Sequence, residues 1–114
     1  MTPAAIMNGL ADKNRLLTAK NQEYIDLAEK KAQAERDYNI KVRVETMDLR
    51  SSGEPVTIIP TLVKGVVIVA NLKFDLDVAS AVERACLESI KDLRSQIDTY
   101  RSLLSWLKAE LQSQ

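Results

Sequence analysis

Two glutamates are the residues whose placement in this sequence could support catalysis. Glu35 and Glu83 fall at interior positions of two predicted helices that pack antiparallel. Two carboxylates in one layer can share a proton, bind a metal ion or act as general acid and base. Lys31 and Arg84 lie within helical reach and can neutralise such a layer, and di-metal carboxylate bundles also use Glu-x-x-His pairs. Because the chain contains no histidine, a charged structural layer is the favoured interpretation.

The other polar candidates also favour structural roles. Cys86 is the only cysteine and falls on an apolar stripe, which is typical of a small buried side chain rather than a nucleophile. Asn14 and Asn21 fall on the predicted stripe of the first helix, where polar residues fix register and partner number. The absence of histidine excludes Ser-His-Asp and Cys-His nucleophiles and histidine metal sites. We therefore predict a non-enzymatic protein with no catalytic, metal-binding or cofactor-binding residue and no cofactor.

Composition limits the size and the environment of the protein. The chain has 114 residues, 16 of them basic and 16 acidic, and we expect a single domain over 1–114. Zero net charge removes the global electrostatic argument for binding nucleic acid or an anionic membrane. The longest apolar run, Val66 to Ala70, is too short to cross a bilayer, and a lone cysteine favours a reducing compartment. We expect a cytoplasmic protein without a membrane partner.

Helix-forming residues dominate both ends of the chain. Thr2-Pro3 is typical of a helix start, and the composition predicts a helix over about 3–50, a connector over 51–65 and a second helix over about 66–112. Within the connector, Thr57 is expected to cap a short helix that runs through Val63 and ends before Gly65. The alternative is a short β-hairpin over 56–70, because β-branched residues flank a loop with proline and glycine.

Heptad periodicity predicts how the two helices pair. Twelve of thirteen stripe positions in the second helix are apolar: Val69, Leu72, Leu76, Ala79, Glu83, Cys86, Ile90, Leu93, Ile97, Tyr100, Leu104, Leu107 and Leu111. The first helix has seven apolar residues among twelve: Leu10, Asn14, Leu17, Asn21, Tyr24, Ala28, Lys31, Glu35, Tyr38, Val42, Glu45 and Leu49. This pattern predicts an all-α, coiled-coil-like antiparallel helical hairpin with Leu49 near Val69. Val42 then faces Leu76, Ala28 faces Ile90, and Asn14 faces Leu104.

The second helix has more apolar residues than one partner helix can cover. The candidate interaction residues lie outside the heptad stripe: Phe74, Val78, Val82, Leu103 and Trp106. A surplus of this kind favours self-association, most simply a homodimer that forms a four-helix bundle.

Two other kinds of partner stay open. A nucleic-acid accessory protein would use the basic residues near the turn: Lys41, Arg43, Arg50, Lys64 and Lys73. Acidic residues share that region, which favours a solvated surface of mixed charge. A protein that sequesters a nucleotide or another small ligand would use a pocket between protomers lined by Tyr24, Tyr38, Asn21 or Glu83.

Three segments carry a resemblance to a known group of proteins. They are Asn21-Gln22-Glu23-Tyr24 with the following Leu27-Ala28-Glu29-Lys30-Lys31-Ala32, then Gly53-Glu54-Pro55-Val56-Thr57-Ile58 with Lys64-Gly65, and the ending Arg101-Ser102-Leu103-Leu104-Ser105-Trp106-Leu107-Lys108. The chain resembles small helical proteins of tailed phages and prophages of Gram-positive bacteria. The resemblance implies an accessory protein in the host cytoplasm that acts on host defence or DNA metabolism, and it supplies no functional residues.

The leading hypothesis is a helical homo-oligomer that binds and modulates another macromolecule, an unidentified protein in the first instance.

Overall fold

The computed structural model describes residues 2–113 and is helical almost throughout. The helices are α1 (Pro3–Ser51), α2 (Ile59–Lys64) and α3 (Val67–Gln112), and residues 2–113 contain no strand. α1 and α3 pack against each other as a hairpin, which confirms the predicted all-α fold. No helix in this part of the chain is both long and apolar enough to span a membrane.

Both ends of α1 have a local cause. The Oγ1 atom of Thr2 accepts a hydrogen bond of 3.1 Å from the backbone N–H of Ala5, so the Thr-Pro pair caps the helix as predicted. At the other end Gly53 adopts a φ of 86°, a left-handed conformation that costs little only for glycine. The N–H groups of Gly53 and Glu54 donate to the carbonyls of Arg50 and Leu49, at 3.1 and 3.2 Å. These bonds satisfy carbonyls left open where the helix ends.

The connector forms a short helix and not the alternative β-hairpin. Pro60 lies in the first turn of α2, where its fixed φ suits a helix and its missing N–H is not needed. Ile59 and Val63, one turn apart, are 3% and 4% exposed and pack against Val69. Burial of this helical pair outweighs the strand preference of β-branched residues.

The expected cap at Thr57 is wrong. The residue at the N-cap position is Ile58, and it makes no side-chain capping bond. The carbonyl of Ile58 accepts backbone bonds from Thr61 and Leu62 at 3.1 and 3.0 Å. Packing of its buried pair, and not a polar cap, therefore fixes where α2 begins.

The contacts divide the chain into two units, Asp26–Glu83 and Met1–Ile25 with Arg84–Gln114. The core of the Asp26–Glu83 unit is the cluster of Ile59, Val63 and Val69, and the partly buried side chains against it are Tyr38, Val42, Leu49 and Val66. Because α2 packs against the end of α1, that end contacts the connector as well as α3. The assignment of 1–114 to a single domain stays a prediction.

The pairing register within the Asp26–Glu83 unit differs from the prediction. Lys31 Nζ lies 3.5 Å from the Oε2 atom of Glu83, whereas the predicted partner Glu35 is exposed. Val42 packs against the cluster that contains Val69, and so does Leu49, which was expected near Val69. Lys31 precedes Glu35 by four residues, so this contact of Glu83 lies about one helical turn from the predicted partner.

The second unit buries a row of α3 residues. The buried side chains in this unit are Ile6, Cys86, Ile90, Leu93 and Ile97. The Sγ atom of Cys86 lies 3.7 Å from the backbone carbonyl oxygen of Lys20, consistent with the predicted buried thiol. The ring of Tyr100 lies directly against Gly9.

The two asparagines that were predicted to lie in the core are exposed, and the lysine that precedes each of them is more buried. Asn14 and Asn21 are exposed, whereas Lys13 and Lys20 are half-buried. The neighbouring heptad positions Leu10, Leu17 and Tyr24 are half-buried as the pattern indicated. A long lysine stem can cover apolar surface while its ammonium group stays in water, which the shorter asparagine cannot do.

The heptad positions of the two long helices differ in burial. Every heptad position in α3 is buried or half-buried except Leu111, which is 66% exposed. Leu111 lies three turns beyond Tyr100, whereas the residue that meets Tyr100 is Gly9, near the start of α1. α1 fully buries only Ile6.

Candidate interaction surface

A row of exposed apolar side chains follows one face of α3. Val67, Phe74, Val78 and Val82 are 74%, 67%, 45% and 44% exposed. We call these four residues the α3 stripe. Spacings of seven and four residues place them on one side of a helix. The heptad residues Leu72 and Leu76 are half-buried and lie on another side, so packing against α1 leaves the α3 stripe uncovered.

The other two predicted interaction residues lie near the end of α3. Leu103 and Trp106 are 36% and 59% exposed and lie one turn apart. A tryptophan exposed to this extent presents a large apolar ring with an indole N–H that can donate a hydrogen bond.

A similar row of exposed apolar residues on α1 was not predicted. Ile40, Val44 and Met47 are 57%, 42% and 55% exposed. We call these three residues the α1 stripe. Their spacing of four and three residues is a helical signal, and it lies two positions away from the predicted heptad stripe. Tracing every apolar residue of the first helix, and not only the heptad positions, would have revealed it.

Charged pairs lie beside the α3 stripe. The Nζ atom of Lys73 lies 3.0 Å from Asp77 Oδ1 and 5.7 Å from the centre of the Tyr38 ring. The hydrogen bond to Asp77 raises the pKa of Lys73 above its ordinary value. In the other unit a hydrogen bond from Lys20 to Glu23, 2.9 Å long, raises the pKa of Lys20. Both pairs are partly or well exposed, so they orient side chains more than they stabilise the fold.

The five predicted nucleic-acid contacts all fall in the Asp26–Glu83 unit. Lys41 pairs with Glu45 at 3.3 Å and Lys73 with Asp77, so neighbouring carboxylates neutralise two of the five charges. The remaining three are exposed and form no ion pair with the described residues 2–113: Arg43, Arg50 and Lys64.

The glutamates considered for catalysis do not form a pair. The side chain of Glu83 is 13% exposed and its contact across the hairpin is Lys31, whose side chain is 40% exposed. No group of three or more potential metal ligands occurs within residues 2–113. The arrangement is that of a half-buried ion pair between α1 and α3.

Hollows in the surface are shallow and lie between the helices. One of about 380 Å³ is lined by Tyr38, Lys64, Val69, Ala70 and Lys73. This hollow contains one of the four residues expected to line a small-ligand pocket, Tyr38. The exposed apolar rows are therefore the more distinctive surface feature.

Comparisons with known proteins give no relative from which a role could be transferred: no family model, curated protein or solved structure matches the chain.

Proposed function

We propose that this protein is a non-enzymatic helical interaction protein that self-associates and binds another protein through its exposed apolar rows. The observation that carries the proposal is the exposure of two large aromatic side chains, Phe74 at 67% and Trp106 at 59%. Contiguous apolar surface on a water-soluble protein marks an interaction site. Large aromatic side chains also supply much of the binding energy at protein interfaces.

The small core supports self-association. Within residues 2–113 the buried hydrophobic residues are few: Ile6, Ile59, Val63, Val69, Cys86, Ile90, Leu93 and Ile97. A small chain that buries little apolar surface is only marginally stable alone. Pairing two hairpins into a four-helix bundle adds buried area without lengthening the chain.

The resemblance to small phage and prophage proteins gives this proposal a biological setting. In that setting the protein acts in the cytoplasm of an infected bacterium as an accessory factor in host defence or phage DNA metabolism. Its partner is a host or phage protein that offers a complementary apolar groove.

Affinity capture with matched variants tests the proposal. Tagged wild-type protein and a Trp106→Ala variant are used as bait in lysate from infected cells, and captured proteins are identified by mass spectrometry. We expect a partner that is captured by the wild type and lost with Trp106→Ala. Met7→Ala, which removes a side chain 60% exposed on α1, serves as the control and should retain the partner. Equal capture by all three baits contradicts the proposed role of Trp106.

A nucleic-acid accessory role is the second candidate, because Arg43, Arg50 and Lys64 are exposed without an ion pair within residues 2–113. Fluorescence anisotropy with labelled DNA and RNA at increasing salt tests it. Binding that weakens steeply with salt and with Arg43→Ala favours this candidate. Absence of binding at low salt removes it.

A further inference from the structure

We infer that the α3 stripe binds the α3 stripe of a second copy of this chain, with the two α3 helices antiparallel and a two-fold axis between Ser80 and Ala81. The inference rests on the proposed self-association and assigns its interface and register. We assign a second copy of the chain as the partner because of the charged residues beside the α3 stripe. When one α3 helix is reversed, these residues lie opposite residues of the other sign in the other copy.

The charges along one side of the α3 stripe alternate in sign. Lys73, Asp77, Arg84 and Glu88 are all exposed, and their spacing places them on one flank of the helix. Reversing the helix about the midpoint between Ser80 and Ala81 exchanges residue 73 with 88 and residue 77 with 84. Each cation of one copy then meets an anion of the other: Lys73 meets Glu88, and Asp77 meets Arg84.

The apolar residues lie close together in the same register. Reversal brings Val82 of one copy level with position 79 of the other, one residue from Val78, and it brings Ala85 level with position 76, two residues from Phe74. Ala81 lies beside the axis, and both Ala81 and Ala85 are exposed in the single chain. A large ring placed against an alanine allows two helices to approach closely, as interlocking side chains do in coiled coils.

The opposite flank carries no conflict. Its charge next to the α3 stripe is Asp75, and the residue that faces this position after reversal is Cys86, which is buried in its own chain. No two like charges are therefore forced together along this segment. Exposed ion pairs add little affinity individually, but complementary rows of charge select orientation and register.

Cysteine crosslinking tests the position of the axis. Ala81→Cys is made in the full chain carrying Cys86→Ala, so that the introduced thiol is the only one. Near the axis the two Cα atoms come within disulfide range, which is about 4.4–6.8 Å. We expect a covalent dimer under mild oxidation. Ser95→Cys in the same background is the control, because Ser95 is exposed on α3 but far from the axis, and it should stay monomeric on a non-reducing gel.

Sedimentation equilibrium of variants in the α3 stripe and the α1 stripe tests which of the two surfaces forms the dimer. Val78→Asp should raise the dimer dissociation constant at least tenfold, while Val44→Asp should leave it unchanged. The two valines are matched, at 45% and 42% exposed, and retained helicity by circular dichroism shows that each variant is folded. Equal effects of the two substitutions overturn the inference.

A charge exchange tests the register. Arg84→Asp places a new carboxylate opposite Asp77 of the other copy, so it should weaken dimerisation several-fold. The double variant Asp77→Arg with Arg84→Asp should restore the dimerisation affinity. A double variant that dimerises as weakly as the single one contradicts the pairing.

A wild-type dimer without crosslinking through Ala81→Cys overturns this interface but leaves self-association standing. A wild-type monomer at tens of micromolar overturns the interface and the proposed self-association together, whereas the Trp106 capture experiment judges partner binding separately.

Discussion

The ring of Tyr100 packs so closely against Gly9 that a β-carbon at position 9 would lie 2.7 Å from the ring Cζ atom and 2.8 Å from Cε1. Gly9 lies inside α1, where glycine is unfavourable for helix stability. Its helical conformation needs no glycine, since within residues 2–113 only Gly53 has a positive φ. Gly9 is therefore required by the close approach of α3 and not by the local backbone.

Replacing Gly9 should have opposite effects in two backgrounds. In the wild type, Gly9→Ala should lower the free energy of unfolding by about 1 kcal/mol, because the Tyr100 ring must move out of its contact. In a Tyr100→Ala background the same change should raise it by about 1 kcal/mol, the usual helix-propensity gain. Urea denaturation of the four proteins measures both effects. The same sign in both backgrounds would show that the contact does not oppose alanine.

The buried residues of α3 should dominate stability within their unit. Leu93→Ala and Ile97→Ala should each lower the unfolding free energy by about 2–5 kcal/mol, since both side chains are buried and their loss leaves cavities. Leu17→Ala, at a half-buried position of α1, should cost less. Thermal and urea unfolding provide the comparison, and equal costs would contradict the view that the heptad residues of α3 are better packed than those of α1.

The ion pair between Lys31 and Glu83 should stabilise less than an apolar contact at the same place. Glu83→Leu should raise the free energy of unfolding by about 1–3 kcal/mol, as apolar replacements of buried ionic groups often do. Lys31 is exposed enough to reach water once its partner is gone. Glu35→Leu, at an exposed position, is the control and should change stability little. A destabilised Glu83→Leu variant would show that the glutamate anchors a favourable network.

The contact between Lys73 and Asp77 makes a prediction at alkaline pH. Because the hydrogen bond raises the pKa of Lys73 above its ordinary value of 10.5, the pair stabilises the folded chain fully below that pH. The contribution is lost as the pH rises through the raised pKa. An NMR titration of the lysine Cε signals should show the pKa of Lys73 falling toward 10.5 in Asp77→Asn. An unchanged pKa would mean that Asp77 is not its cause.

Periodicity predicted the fold because α3 has one clear heptad stripe. The packing of Val42 and Leu49 against the cluster of Ile59, Val63 and Val69 was not predictable from the same pattern, because it is a tertiary contact that includes the connector.

The facing side of α1 was also ambiguous in the sequence. Lys13 and Asn14 are adjacent polar residues, as are Lys20 and Asn21, and hydrophobic periodicity cannot choose between neighbours that are both polar. A lysine stem can cover apolar surface while its ammonium group stays in water, which favours the lysine of each pair at the half-buried position.

The candidate surface was predicted in part. Phe74, Val78 and Val82 were identifiable because they exceed what one partner helix covers. The α1 stripe has helical spacing in the sequence, but it lies outside the heptad positions from which the packed face of α1 was predicted.

The division into two units has a consequence for the order in which the chain folds. The Asp26–Glu83 unit is one continuous segment, whereas the other joins two segments separated by residues 26–83. Closing a long loop costs chain entropy that a preformed inner segment has already removed. Formation should therefore begin around α2 and spread toward the termini. Val63→Ala should then mainly slow folding and Ile97→Ala mainly speed unfolding, which stopped-flow kinetics can measure.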